Sequence, residues 1–217
     1  MSLKKTKTML FNLQLYMKYH DSDFVIVSQT GKEIPCHKFV LAMTSPVFEA
    51  MLEMKESKEV SNGRVEIIDV SDQALEAMVN FIYTNDIQEN EDVYEDLLIL
   101  ANKYDLKKLA EKIIPKFVAK LDVDNCIEGY VFGFLHHYEK IKEAARMIIV
   151  SEWDWLQKEK KEELKKFSGM YPKEFEDLME KISRIQEQTL TALTLAAIMN
   201  ETIFTFRNYP LPPCRKT

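Results

Sequence analysis

The sequence predicts an α+β protein, a small sheet flanked by a helical cluster and followed by a wholly helical extension. Three observations predict it. Phe24-Val25-Ile26-Val27 is a run of β-prone apolar residues that reads as a strand covered on both faces. Arg64-Val65-Glu66-Ile67 alternates as a half-buried strand does. After Leu121 the apolar residues recur only at helical spacing.

The elements follow in order. Before the first strand, Leu10, Phe11, Leu13, Leu15 and Tyr16 interleave with Asn12, Gln14 and Lys18, a spacing that fits helix or strand. Thr30-Gly31 marks a turn, and Pro35-Cys36 a second short strand. Val40-Leu41 begins a helix. Ser45-Pro46 begins the next, a hydroxyl N-cap followed by proline where its missing N–H costs nothing, with Phe48, Met51 and Leu52 at helical period. That pattern dissolves into Met54-Lys55-Glu56-Ser57-Lys58-Glu59. Asn62-Gly63 is a tight turn into the Arg64–Ile67 strand. Ser71 caps a helix with Leu75, Met78, Val79, Ile82 and Tyr83 on one side. Asn90 caps another, with Val93, Leu97, Leu98 and Ala101 apolar, and Leu106, Leu109, Ile113 and Phe117 line a third.

The extension opens at Asp122-Val123-Asp124-Asn125. Ile141, Ala144, Ala145, Ile148 and Ile149 form a helical stripe, and the charged run Lys158–Lys166 reads as a solvated helix face. Tyr171-Pro172 starts a helix with Phe175, Leu178, Met179 and Ile182 inward, which reaches at least Ile185. Residues 186–217 are an unassigned tail in which some of Leu190, Leu193, Ala197 and Ile198 add a final helix, and Pro210, Pro212 and Pro213 make its last stretch non-helical.

Composition excludes several classes of function. A chain of 217 residues with 46% hydrophobic and 29% charged residues is ordinary globular protein, long enough for one large core or two small ones. Five glycines form no phosphate-cradling fingerprint. A net charge of −6, with basic runs only near the ends, argues against nucleic-acid binding. Cys36, Cys126 and Cys214 have neither metal spacing nor the even count of a disulfide framework, which fits a reducing compartment. Residues 1–20 lack the apolar core of a secretory signal, and Asn200-Glu201 interrupts the one long apolar stretch, Thr189–Phe206. An intracellular protein, in cytoplasm or nucleus, is the expectation, with no membrane contact. His20, His37, His136 and His137 have no metal-ligand spacing; the last two point to different sides of a helix, roughly 100° apart. His37 reads as a structural hydrogen-bonding residue at a strand–helix junction. Glu95-Asp96 and Glu162-Glu163 read as surface charge. The sequence shows no catalytic constellation, no metal site and no cofactor site.

The words Asp23-Phe24-Val25-Ile26-Val27, His37-Lys38, Leu41-Ala42, Ser45-Pro46-Val47-Phe48, Phe81-Ile82-Tyr83-Thr84 and Lys103-Tyr104, in that order over about a hundred residues, resemble a BTB/POZ domain. The resemblance implies a BTB/POZ fold over residues 21–120 and a BACK or three-box-like all-α extension over 121–185, with 1–20 as an N-terminal dimerisation segment. The nearest likeness is to the speckle-type POZ group of cullin-3 adaptors. It implies a dimer, with itself or with another BTB chain, whose interface includes Leu10 and Leu13 and the paired charges Asp23 and Lys38. An intrachain ion pair or two exposed charges is the alternative for that pair. It also implies cullin-3 binding through Met54 and Glu56, whose exposed thioether adapts to an apolar groove while the carboxylate fixes register. Tyr83 falls where the helix end meets the cullin in that family; its spacing equally allows a core aromatic. Cys126 falls on a buried position of the extension. The function implied is a non-enzymatic adaptor that brings an unknown protein substrate to a cullin-3 RING ubiquitin ligase. The alternative is a BTB scaffold, transcriptional regulator or competitor without ubiquitin. No segment fits the MATH or Kelch domain with which such adaptors read substrate.

Overall fold

A computed structural model describes residues 20–54, 62–87 and 91–208. It divides into two compact units, one of residues 1–121 with 132–142, the other of residues 122–131 with 143–217.

In the first unit, β1 (Phe24–Ser28) pairs antiparallel with β2 (Glu33–Cys36), Ile26 opposite Ile34 and Phe24 opposite Cys36. Proline is tolerated at position 35 because β2 lies at the sheet edge, where no donor is needed outward. Gly31, at φ +83°, closes the connecting turn, its N–H donating to the Ser28 carbonyl at 3.0 Å. The third strand, β3 (Arg64–Ile67), runs parallel to β1 on the other side. Asn62-Gly63 therefore turns the chain into a crossover strand rather than a hairpin, with Gly63 at φ +63° and its carbonyl accepting from Val25 at 2.9 Å.

Helices α1 (Lys38–Thr44) and α2 (Pro46–Glu53) follow β2. Ser45 between them is buried and joins two elements: its Oγ accepts from Phe48 N–H at 3.1 Å and donates to the Tyr104 carbonyl at 2.6 Å. The Phe48 and Tyr104 rings stack beside it at 4.3 Å. Helix α3 (Asp72–Thr84) is capped by Ser71 and buries Leu75, Met78, Val79, Ile82 and Tyr83 as its spacing predicts. A 3₁₀ turn, Glu91–Val93, opens α4 (Tyr94–Lys103), so no side chain caps α4 at its first turn; Asn90 lies outside the described residues. Helix α5 (Lys107–Val118) adds Leu109 and Ile113 to a core that reaches from Phe24 to Ile141.

Helices α6 (Cys126–Leu135) and α7 (Glu139–Ser151) have residues in both units. The start of α6 is set by an Asx network: Asp122 Oδ1 accepts from the amides of Asp124 and Asn125, and Asn125 Oδ1 from that of Asp122. His136 and His137 lie in the turn after α6 and not within a helix as their sequence context predicts; His137 takes the left-handed conformation that ends it, at φ +59°. In the second unit, α8 (Trp153–Glu159), α9 (Lys161–Met170) and α10 (Pro172–Asn208) bury Trp153, Leu156, Leu164, Phe167, Leu178 and Ile182 with Tyr130. The charged run Lys158–Lys166 is broken at Lys160 between two helices, and Leu164 within it is buried. Helix α10 is continuous for 37 residues, so the stretch 186–208 continues it and does not form a separate final helix.

Candidate functional site

Three of the sequence-marked words, those holding Asp23, His37-Lys38 and Tyr83, converge on the start of α1. A helix leaves its first amides without partners, and His37, the N-cap, offers no side-chain cap of its own. Two other segments supply the missing acceptors. Asp23 Oδ1 accepts from Lys38 N–H at 2.9 Å, and the Tyr83 hydroxyl accepts from His37 N–H at 2.9 Å.

The His37 ring completes the clasp. Its Nε2 lies 2.8 Å from the His20 carbonyl, which can only accept, so Nε2 carries the hydrogen. Nδ1 is then an acceptor, and the Tyr83 hydroxyl, 2.8 Å away, donates to it. The single hydroxyl thus accepts from the backbone and donates to the ring of the same residue. Burial pushes the Tyr83 phenol up to about 12, so it keeps this proton. His37 is the junction residue its position predicts.

The predicted site residues separate on this geometry. Tyr83 is 9% exposed and packs in the core of the first unit. Asp23 meets Lys38 through the backbone amide, while the Lys38 ammonium lies 5.8 Å above the Phe24 ring. Met54 ends α2 with 63% of its surface exposed. Glu56, Leu10 and Leu13 lie outside the described residues.

Sequence reading missed one apolar surface. Phe39 and Met43, one turn apart on α1, are 72% and 71% exposed. Their i, i+4 spacing is legible, but it is the same spacing that marks a core face. Met43 also borders a hollow of about 520 Å³ lined by Pro46, Phe81, Ile82, Asn85 and Leu106, with Lys107, Lys108 and Asp105 in its wall, Asp105 lying 3.6 Å from the Lys107 ammonium. Its apolar residues and mixed-charge wall suit a protein surface better than a small polar substrate.

Cys126 is buried, and burial pushes its thiol up to about 11, away from nucleophilic range. Among the described residues no cluster of three histidine, cysteine or carboxylate side chains could hold a metal ion. Among the same residues no helix is long and apolar enough to cross a membrane.

The chain that holds this strand–helix junction is similar to proteins carrying a BTB/POZ domain. It is 39% identical over 125 residues to a BTB/POZ domain-containing protein of Arabidopsis thaliana, a match covering 58% of this chain and 51% of that protein. The chain thus spans about half the length of that curated relative. Among solved structures it is similar to the BTB domain of human gigaxonin, at 23% identity and a TM-score of 0.41, over 52% of this chain and 91% of that one. The BTB domain of zebrafish PATZ1 compares at 22% identity and a TM-score of 0.40, with the same coverage. The sequence model of the BTB/POZ domain matches residues 12–121, just over half of the 217. The chain belongs to the BTB/POZ family.

Proposed function

We propose that this chain is a dimeric adaptor that holds a protein substrate on a cullin-3 RING ubiquitin ligase. BTB/POZ domains are protein-interaction modules, and the observation that carries the finer reading is Met54. It ends α2, the helix that the Ser45-Pro46-Val47-Phe48 word opens, with its thioether exposed. It also opens the Met54-Lys55-Glu56 triplet that resembles the cullin-contacting triplet of adaptor-type BTB proteins. Met54 and Glu56 form the contact in this reading. Tyr83, near the end of α3, is a second contact in this reading, and its hydroxyl also fixes α1 through His37.

The dimer contact is assigned to Leu10 and Leu13 of the N-terminal segment, with Asp23 and Lys38 beside it. The exposed pair Phe39 and Met43 supports a partner surface on α1. Such a protein performs no chemistry of its own. It raises the effective concentration of a substrate lysine at the loaded conjugating enzyme, and a dimer permits bivalent capture.

Light scattering of the purified chain, alone and with the amino-terminal half of cullin-3, tests this. The expected species is a two-to-two complex, lost in Met54→Arg/Glu56→Lys with the dimer intact. A stable dimer that ignores cullin-3 overturns the ligase reading and leaves a BTB scaffold that acts without ubiquitin.

A further inference from the structure

The second unit carries a surface that the cullin reading does not use. Along α10, Lys181, Ile185, Gln188, Ala192, Leu195 and Met199 follow one another at alternating steps of four and three, so they share one face of the helix. At the start of that face lies a hollow of about 310 Å³ lined by Glu143, Arg146, Lys181, Arg184, Ile185 and Gln188. Three of these six are cations and one is an acid. Glu143 is committed to Arg146, whose Nε donates to Oε2 at 2.9 Å and whose Nη2 meets Oε1. Glu180, outside the lining, pairs with Arg184 at 2.5 Å. Lys181 lies close enough to help hold the Glu143 carboxyl below its usual range, after Arg146. Among the side chains that line the hollow three cations face one carboxylate, so the lining itself is positive in a chain of net charge −6, while Asp177, Glu180 and Glu187 stand elsewhere on α10.

Beyond the hollow the same face becomes wholly apolar. Leu195 and Met199 are 57% and 63% exposed, and Gln188–Asn200 contains no charged residue. The hydroxyls of Thr189, Thr191 and Thr194 each donate to the carbonyl four residues back, at 2.8 Å. This strip can therefore be covered without stranding a hydroxyl away from water.

We propose that this face docks an amphipathic helix of a partner protein. A carboxylate at one end of that helix enters the Arg146–Lys181–Arg184 hollow, and apolar side chains at i, i+3 and i+7 lie on Ala192, Leu195 and Met199. Charge complementarity selects the acidic end, and the uncharged strip selects the apolar remainder. A nucleic acid or an anionic bilayer would want cations along the whole face, and Gln188–Asn200 supplies none. The inference deepens the adaptor reading, because it names the chemical class of protein that the helical unit recruits; it requires partner binding but not cullin-3.

The test is fluorescence anisotropy of the full chain, without cullin-3, against two labelled synthetic helical peptides. Both carry leucines at i, i+3 and i+7; one has glutamates in the preceding turn and the other lysines. The glutamate peptide binds, more tightly at low salt, and Leu195→Asp/Met199→Asp weakens it by about tenfold or more. Lys181→Glu/Arg184→Glu, both exposed positions, weakens it equally and transfers binding to the lysine peptide, a gain that a misfolded variant cannot show. Equal binding of both peptides, binding of neither, or indifference to the charge swap overturns the proposal. So does a self-association of the chain that Leu195→Asp abolishes, since the strip would then be covered by a second copy. Failure here leaves the cullin-3 complex untouched, and loss of that complex leaves peptide binding untouched.

Discussion

Helices α3 and α10 are built on the same rule and end in opposite conditions. Of the thirteen residues of α3, seven are buried. Among the described side chains of the 37-residue α10, only Leu178 and Ile182 are. An apolar stripe of helical period therefore has two meanings, a face the fold has used and a face it has left open. In α3 the helix is stabilised by what it packs against, as most protein helices are. Past Gln186, every α10 side chain described is exposed, and threonines at 189, 191 and 194 are poor helix formers. That stretch contributes little to holding the chain together, and so its side chains are available for a partner.

Leucine truncation sharpens the contrast most. Leu75→Ala empties a fully buried position and costs about 3 kcal/mol. Leu193→Ala removes an equal side chain from a position 64% exposed and changes stability by less than about 0.5 kcal/mol. Denaturant titration of the two variants reads the difference directly. Equal losses would mean that the α10 stretch is covered in solution, and the comparison would fail.

Hydroxyl deletion gives a smaller and more specific contrast. Tyr83→Phe keeps the ring and its burial but takes from His37 both the acceptor for its amide and the donor for Nδ1. A cost of about 1–3 kcal/mol follows from leaving those groups unpaired. Thr194→Val also removes a hydroxyl, one that bonds only its own helix at the Leu190 carbonyl, and stability shifts by less than about 0.5 kcal/mol. Thermal unfolding of the pair, followed at the same wavelength, separates a hydroxyl that ties two segments from one that ties none.

The same distinction explains what could be read in the sequence. Ser45-Pro46 was legible because a cap and a proline act within four residues, and the structure adds only that Ser45 also reaches Tyr104, fifty-nine residues on. The Arg64–Ile67 strand was legible from its alternation, but its parallel pairing with β1 depends on a partner thirty-nine residues away in sequence, Val25 against Arg64. Tyr83 read equally as core or contact, since periodicity places a side chain on a face without saying what covers that face. Phe39 and Met43 were passed over for the same reason. The unbroken run of α10 through 186–208 was hidden by its threonines, whose hydroxyls are satisfied inside the helix and so do not end it. Met54 was legible as an exposed end because apolar period stops at Leu52, and its surroundings agree.

Acidification probes the contrast at its smallest scale. His136 sits in the turn after α6 with its ring 4.6 Å from that of Phe132. Burial, and then the charge of His137, holds its imidazole below the ordinary 6.5. A depressed histidine is protonated more readily in the unfolded chain than in the folded one. Its contribution to stability is therefore present above pH 6.5 and is lost as pH falls through the lower folded value. Asp69 and Glu143 are also depressed, by Lys103 and Arg146 respectively, but as carboxyls they act at lower pH. Between about pH 7 and 5 the denaturation midpoint of the chain should fall slightly, and His136→Gln should flatten that fall. Gln188–Asn200 contains no titratable side chain, so the helix signal it contributes has no reason to change over the same interval. If acid melts that signal together with the midpoint, the open stretch of α10 depends on the titrating core for its helix, and its independence from the fold is wrong.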